Sequence, residues 1–367
     1  MQSSITWMAS LRIIQFIFID YLMKRLLFLV VLASLFYIGC SEKHERKVTP
    51  AFYYWKGVFE TSTGELRYLK LLRVKKLYLR FFDVDWNQNI KQAVPVGDLE
   101  INSDIPRGIE IIPTIFITNR TLINIPDTAV FRLGHNILEK IYAKSGKIKD
   151  IKLREIQLDC DWSLSTKDKY FKLIDDIKSL ASKDSILLSV TIRLHQVKYF
   201  YETGVPPVSK GMLMFYNMSS VSDYHTRNSI FDPEVAKKYL VNFDKYPLNL
   251  DVVLPAFSWG VHFRRYKVVG LINDLSAEEL LKTNKFKKID DTHFICTKNC
   301  ADFGTEFNRN DVIRIEKIGP EQTLDAARMI SKYLKKKNLT VAIYHLNDEL
   351  VKQYEIQDLQ NIFSAFR

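Results

Sequence analysis

One stretch of the chain decides the fold: Ile156-Gln157-Leu158-Asp159-Cys160-Asp161-Trp162. Every second residue from Ile156 to Cys160 is apolar, and the alternate set is polar and ends in two carboxylates, which is the pattern of a β-strand. Residues two apart in a strand share a face and lie roughly 7 Å apart. Two acids at that spacing repel each other, so we expect Asp159 and Asp161 to serve a ligand or a reaction.

Strand-like segments of similar length recur along the chain, and helical patterns separate most of them. The eight predicted strands are Ala51–Trp55, Lys76–Phe82, Ile111–Thr118, Glu155–Asp161, Ile186–Leu194, Gly211–Tyr216, Leu250–Phe257 and Thr340–His345. Strands that alternate with helices pair in parallel through right-handed crossovers. Eight such units without a glycine-rich nucleotide turn predict an α/β fold, the closed (β/α)8 or TIM barrel.

The barrel is predicted to occupy residues 51–367, because no repeat or low-complexity linker divides that part of the chain. The segment at about 260–314 is too long for a simple crossover. It also contains strand-like pieces at Thr292–Cys296 and Val312–Glu316. We therefore predict an insertion between strands 7 and 8, beside the mouth of the barrel.

The N-terminal region resembles a bacterial lipoprotein signal peptide. A basic segment, Met23-Lys24-Arg25, precedes the apolar run from Leu26 to Tyr37, and a small residue lies just before Cys40. The resemblance implies that Cys40 receives a lipid and becomes the first residue of the mature protein. A transmembrane anchor is the alternative, but the run is short for a span and charged residues follow it.

This reading divides the N-terminal region into two parts. Residues 1–39 are an upstream extension and the signal peptide, and residues 40–50 are a lipidated tether. We therefore expect the protein in the bacterial cell envelope, held to the membrane at Cys40, on the periplasmic side or at the cell surface.

Charge and cysteine content narrow the possible partners. The net charge is +11, but the lysines are spread along helices and no nucleic-acid motif accompanies them, so no nucleic-acid partner is expected. Cys160 alternates with apolar neighbours and is predicted to be buried. Cys296 and Cys300 are close enough in sequence for a local disulfide, which persists outside the cytoplasm. A zinc site that includes His293 is the alternative, although a fourth ligand is not evident.

Polar and aromatic residues gather at the carboxyl ends of the predicted strands, where barrels of this type have their active sites. Carboxylates accept hydrogen bonds from sugar hydroxyls, and flat rings cover the apolar faces of pyranose rings. Hydrolysis of a glycosidic bond further needs one protonated and one ionised carboxyl. We predict Asp159 and Asp161 as the catalytic pair. The predicted substrate-binding residues are Trp55, Asp83, Asp85, Trp162, Arg193, Tyr216, Asn217 and Trp259.

These residues also have purely structural interpretations. Asp159 or Asp161 could form an ion pair with Arg193 inside the barrel. Asp83 and Asp85 could cap loops, because strand alternation turns them toward the opposite face. The aromatic residues could belong to the core: Trp162, Tyr216 and Trp259.

Two of these motifs resemble those of a known family. Asp159-Cys160-Asp161-Trp162 is similar to the fourth-strand signature of glycoside hydrolase family eighteen, the chitinase-like barrels. Met214-Phe215-Tyr216-Asn217 is similar to that family's sixth-strand motif. The family's catalytic Glu is replaced by Ser163, and its sixth-strand Asp by Asn217. The whole chain also resembles uncharacterised barrel lipoproteins of Bacteroidetes-type bacteria.

The predicted function is that of a cell-envelope lipoprotein whose glycosidase-like barrel acts on a glycan through strand-end aspartates. Because the family's acid is missing, either another acid has replaced it or the barrel binds sugars without cutting them. The alternative is therefore a non-catalytic glycan-binding or surface-assembly lipoprotein on a degenerate glycosidase barrel. A metal-dependent hydrolase that uses the aspartates and histidines is a third possibility, but the prediction includes no cofactor and no metal.

Overall fold

The computed structural model describes residues 46–149 and 151–367, together with Met23 and Arg25. Apart from these two residues, the predicted signal peptide lies outside the described residues, and so does Cys40. In the described part of the chain, no helix is long and apolar enough to cross a membrane. Residues Arg46–Arg367 form one unit.

Eight parallel strands close into a barrel in that unit. They are β1 Lys47–Tyr54, β2 Lys76–Asn87, β3 Glu110–Ile117, β4 Glu155–Asp159, β5 Leu187–Arg193, β6 Gly211–Met214, β7 Leu250–Pro255 and β8 Asn338–Tyr344. Each strand pairs with the next, and β1 pairs with both β8 and β2, which closes the ring. The structure therefore confirms the predicted (β/α)8 barrel, and each of the eight strands overlaps its predicted segment.

The first strand begins earlier than predicted. Lys47–Pro50 pairs in register with Asn338–Val341 of β8, so these four residues belong to the barrel and not to the tether. Lys47–Pro50 is not fully buried, so these positions do not need the apolar residues whose alternation predicts a strand.

Helices surround the barrel and bury apolar faces against it. The helix Lys167–Ala181, for example, buries Leu173, Ile174 and Ile177, which follow helical spacing. The α-helices among the described residues are Thr63–Leu71, Asn119–Asn124, Val130–Ser145, Lys167–Ala181, Leu194–Lys198, Phe200–Thr203, Pro233–Tyr239, Ala277–Lys282, Pro320–Ser331, Asp348–Gln353 and Ile356–Ser364. Short 3-10 helices occupy Asp127–Ala129, Ser182–Asp184 and Phe243–Lys245.

A second, antiparallel sheet lies between β7 and β8 in chain order. In spatial order its strands are Lys267–Asn273, Ser258–Arg264, Val312–Lys317, His293–Cys296 and Phe286–Lys288. It has its own small apolar core, which includes Leu280, Phe294 and Ile313. The remaining strands form small pairings: Cys300–Asp302 with Thr305–Phe307, Val58–Phe59 with Glu100–Ile101, and Gln92–Val96 with the end of β2.

The three cysteines among the described residues, Cys160, Cys296 and Cys300, are free. Cys160 is buried, as its alternation predicts. The Sγ atoms of Cys296 and Cys300 lie 3.8 Å apart without a bond between them. The ring of His293 is held elsewhere, with Nδ1 at 3.0 Å from the Asp290 carboxylate and Nε2 at 3.2 Å from a backbone carbonyl. The structure therefore gives no support to a zinc site that joins His293 to the two cysteines.

A β-bulge changes the alternation of β2. Arg80 pairs with Thr114 of β3 and Phe82 pairs with Ile115, so Phe81 is an extra residue in the ladder. The Phe81 carbonyl instead accepts a hydrogen bond from the amide of Leu99 at 2.9 Å. The alternation of side chains between the two faces of β2 is therefore shifted by one residue after the bulge. As a result, two side chains that are three positions apart and lie on either side of the bulge share a face of the strand.

Candidate functional site

A cavity of about 660 Å³ opens at the carboxyl end of the barrel strands. Its volume lies within the range of about 300–1,000 Å³ that is usual for small-molecule sites. Eight of the ten residues predicted for the site line it: Trp55, Asp83, Asp159, Asp161, Arg193, Tyr216, Asn217 and Trp259. The strand ends therefore bring together residues that are up to 204 positions apart in sequence, from 55 to 259.

An arginine links the two predicted catalytic aspartates. Arg193, at the end of β5, donates from Nη2 to Asp159 at 3.0 Å and from Nε to Asp161. Asp159 also accepts a hydrogen bond from the Thr191 hydroxyl. Burial raises the pKa of Asp159, and the Arg193 charge opposes that rise. The ion pair that the sequence left open is thus present, and it faces the cavity.

The bulge in β2 places a second ion pair in the cavity wall. Arg80 donates from Nε to Asp83 at 2.7 Å, and its guanidinium lies 5.7 Å from the ring centre of Trp55. Simple alternation from Arg80 would turn Asp83 to the opposite face of the sheet. The extra residue Phe81 reverses that expectation, so the loop-cap interpretation of Asp83 is wrong.

Asp85 does not line the cavity. Its carboxylate accepts a hydrogen bond from the Thr118 hydroxyl at 2.7 Å and is paired with Arg120. Thr118 in turn caps the helix that begins at Asn119. Asp85 therefore stabilises the loop after β3, and the prediction that it contacts substrate is corrected.

Trp162 is also absent from the cavity wall. The side chain is 1% exposed, its Nε1 donates to the carbonyl of Thr203 at 2.9 Å, and its ring stacks on Tyr170 with centroids 5.2 Å apart. Strand β4 ends at Asp159, so alternation no longer fixes where Trp162 points. The predicted stacking of Trp162 on substrate is therefore corrected in favour of a core position.

The other aromatic residues form a continuous wall. The Tyr344 ring, at the end of β8, contacts the rings of Trp55, Tyr216 and Phe257 with centroid distances of 5.9, 5.4 and 5.5 Å. Phe257 in turn contacts Trp259 at 5.3 Å. These rings come from the ends of β6, β7, β8 and β1, which are consecutive around the barrel. One half of the mouth is therefore aromatic, and the acids and arginines of β2, β4 and β5 occupy the other half.

A buried carboxylate fixes the Trp259 ring. Glu316 accepts the indole Nε1–H of Trp259 at 2.9 Å and the backbone amide of Ser229 at 2.8 Å. Arg314, which is fully buried, donates to the other oxygen of Glu316 at 2.7 Å. Neither charged residue was among the predicted site residues, because their strand lies in the second sheet and not at a barrel strand end.

A cavity-lining carboxyl that the sequence did not reveal belongs to Asp274. It follows the strand Lys267–Asn273 of the second sheet, and its amide donates to the carbonyl of Ser258 at 2.9 Å. Both carboxylate oxygens lie 3.2 Å from the Asn347 side-chain amide, which donates to them. Burial raises the pKa of Asp274. The only sequence signal was an acid directly after a strand-like run.

His345, the residue after β8, lines the same part of the cavity. Its Nε2 lies 3.4 Å from the side-chain amide of Asn347, and its Nδ1 is buried without a described partner. Burial lowers the pKa of His345 to about 4, so the ring is neutral at pH 7.

Ser163, the residue after Trp162, does not line the cavity, and its amide donates to the Thr166 hydroxyl at 2.9 Å. No group of three His, Cys, Asp or Glu side chains within residues 46–149 and 151–367 is arranged to hold a metal ion.

No protein-family model matches the sequence, and a search of curated proteins gives no match. Solved structures do resemble the fold. A GH18 chitinase from Flavobacterium johnsoniae superposes with a TM-score of 0.52 at 12% identity, over 88% of this chain and 94% of that one. The spore cortex-lytic enzyme SleL of Bacillus megaterium gives 0.51 at 11% identity, over 88% of this chain and 75% of that one.

A third similar structure has a different description. It is a chitinase-like agglutinin from Robinia pseudoacacia, with a TM-score of 0.51 at 12% identity, over 86% of this chain and 99% of that one. The neighbours are thus chitinase-like TIM barrels at low sequence identity, and at this identity the likeness establishes the fold.

Proposed function

We propose that the cavity at the mouth of the barrel binds a glycan. The observation that carries the proposal is the division of the mouth into an aromatic half and a charged half. Pyranose rings have an apolar C–H face and a rim of hydroxyls, so a site with both surfaces satisfies both parts of the sugar. The cavity holds the aromatic rings at contact distance from one another, which reduces the entropy lost when a ligand orders them.

The structural neighbours support the same class of ligand. Two of them are described as a chitinase and a spore cortex-lytic enzyme, and the third as a chitinase-like agglutinin. The charged half of the site also suits a glycan. The described hydrogen bonds of Asp159 and Asp161 each use one carboxylate oxygen, and the second oxygen can accept a hydrogen bond from a sugar hydroxyl. In this proposal Arg193, Tyr216 and Asn217 orient the ligand, while Trp55 and Trp259 stack on it.

Titration calorimetry with a panel of probes tests the proposal. We expect chitin tetrasaccharide, soluble peptidoglycan fragments or a β-glucan tetrasaccharide to bind saturably. Trp259→Ala should weaken that binding at least tenfold, because it removes a ring that covers a sugar face. The matched control is Tyr201→Ala, which changes an aromatic residue that is 84% exposed outside the cavity. Absence of saturable binding to every probe, or equal affinity in Trp259→Ala, would contradict glycan binding.

We further propose that Cys40 carries a lipid and holds the protein in the cell envelope. The basic segment, the apolar run and the small residue before Cys40 support this proposal. Mass spectrometry of the N-terminal peptide should show a diacylated cysteine, and Cys40→Ser should move the protein to the soluble fraction. An unmodified Cys40 in the purified protein would exclude the anchor.

A further inference from the structure

We propose that the bound glycan is hydrolysed, with Asp274 as the proton donor and Asp161 as the general base. The inference rests on the proposed glycan binding and adds a reaction to it. Neither residue alone is sufficient, since cleavage of a glycosidic bond needs a carboxyl group on each side of it.

The topology places these two carboxyl groups on opposite sides of the mouth. Asp161 follows β4, whereas Asp274 is held by Asn347, which lies just beyond β8. In a closed ring of eight strands, β4 and β8 are four positions apart and face each other across the barrel. Both residues line the same cavity. A sugar bound in the cavity therefore lies between them.

The environments of the two groups differ in the direction that an acid and a base need. The described side-chain partner of Asp274 is a neutral amide, and burial favours the protonated form of its carboxyl group. Asp161 instead forms an ion pair with the Arg193 guanidinium, and its side chain is 54% exposed. A carboxyl group beside a neutral amide is suited to donate a proton, and one that is paired with a guanidinium and open to water is suited to accept a proton from that water.

The predicted pair, Asp159 and Asp161, is less suited to supply one proton donor and one general base. Asp159 ends β4 and Asp161 lies two residues beyond it, and both contact Arg193, so they lie on one side of a ligand. Asp159 is 4% exposed and accepts hydrogen bonds from Thr191 and Arg193. Its role is therefore that of a positioning residue, which holds Arg193 and through it Asp161.

The reaction is a single displacement. Asp274 gives its proton to the glycosidic oxygen as the bond between that oxygen and the anomeric carbon breaks. A water molecule, which loses a proton to Asp161, forms the new bond to the anomeric carbon from the other face. The net change is the addition of one water, and the two carboxyl groups recover their protonation by exchange with solvent. Because a single displacement by water attacks the anomeric carbon from the face opposite to the leaving group, the product should have the inverted anomeric configuration.

The experiment measures binding and turnover on the same full-length protein. The probes are chitin tetrasaccharide and soluble peptidoglycan fragments, with binding followed by calorimetry and products by chromatography with mass detection. We expect Asp274→Asn and Asp161→Asn each to lower turnover at least 1,000-fold while affinity stays within about threefold of wild type. The matched control is Asp291→Asn, a fully exposed acid on the same second sheet, which should keep full turnover.

A second measurement separates the two roles. A nitrophenyl glycoside of the released sugar has a leaving group that needs no proton, so it should restore turnover in Asp274→Asn but not in Asp161→Asn. Proton NMR of the first product should show inversion. Binding without product from any probe would overturn hydrolysis and leave the glycan-binding function intact, whereas failure to bind would overturn both. Undiminished turnover by Asp274→Asn, or retention of configuration, would also overturn the assignment.

Discussion

The guanidinium of Arg193 donates from Nη2 to Oδ1 of Asp159 across 3.0 Å, and this carboxylate is almost completely removed from water. Since β4 and β5 are neighbours, the contact fixes the ends of two strands relative to each other. A buried carboxylate next to one guanidinium depends on it, because loss of the cation leaves an uncompensated charge.

Arg193→Met should therefore lower the free energy of unfolding by about 3 kcal/mol at pH 7. Chemical denaturation of the two proteins measures the difference. Adding Asp159→Asn removes the stranded charge, so the double variant should recover at least about 1 kcal/mol of the loss. If the single variant is as stable as wild type, the ion pair does not stabilise the fold.

The two tryptophans that the sequence assigned to substrate should behave differently. Trp162→Phe removes the indole donor that pairs with the Thr203 carbonyl and leaves a small gap, so we expect a loss of about 1–3 kcal/mol in stability. Its glycan affinity should stay within twofold of wild type, in contrast to Trp259→Ala. Thermal melting and calorimetry on both variants check this. A large loss of glycan affinity in Trp162→Phe with an intact fold would show that Trp162 contributes to glycan binding after all.

His345 should make stability depend on pH in a defined window. The folded protein keeps this ring neutral down to a pKa of about 4, while an unfolded histidine titrates near 6.5. Between these values the unfolded chain binds more protons, so stability falls as the pH is lowered from about 6.5 to 4. The share due to His345 should be about 3 kcal/mol over the whole window.

The comparison with His345→Gln isolates that share, because the other titrating groups are common to both proteins. The difference in unfolding free energy between wild type and His345→Gln should change across this window and be constant above pH 7. A difference that does not vary between pH 4 and 6.5 would show that folding leaves the pKa of His345 unchanged, and it would contradict the neutral buried ring.

Gly211, the first residue of β6, marks a close approach between neighbouring strands. A Cβ there would lie 2.8 Å from Ile192 Cγ1 and 2.9 Å from Leu250 Cδ2, both in the closely packed barrel wall. Gly211→Ala should therefore cost about 1–3 kcal/mol through overpacking. The matched control is Gly57→Ala, since nothing lies within 4 Å of the added carbon. Equal melting temperatures for the two variants would contradict the packing argument.

Periodicity predicted the barrel because its strands are buried segments whose spacing repeats with the helices between them. It also predicted eight of the residues that line the cavity, since the carboxyl ends of parallel strands meet at one end of a barrel. Beyond the end of a strand, alternation no longer determines which way a side chain points. This explains why the predicted stacking of Trp162 on substrate had to be corrected. Asp274 could not be predicted because its place depends on how the second sheet packs, and no local pattern encodes that.

The extra residue at Phe81 has a consequence for how such barrels change over time. Upstream of it, β2 presents one set of alternate positions to the barrel interior, and downstream it presents the other set to the cavity. Because Phe81 lies outside the ladder, loss of its codon would restore regular alternation and leave Asp83 opposite Phe116 of β3, on the same face as before. Related barrels can therefore carry or lack the extra residue without a change in the cavity wall, and alignments that forbid gaps inside strands will pair the wrong residues at this site.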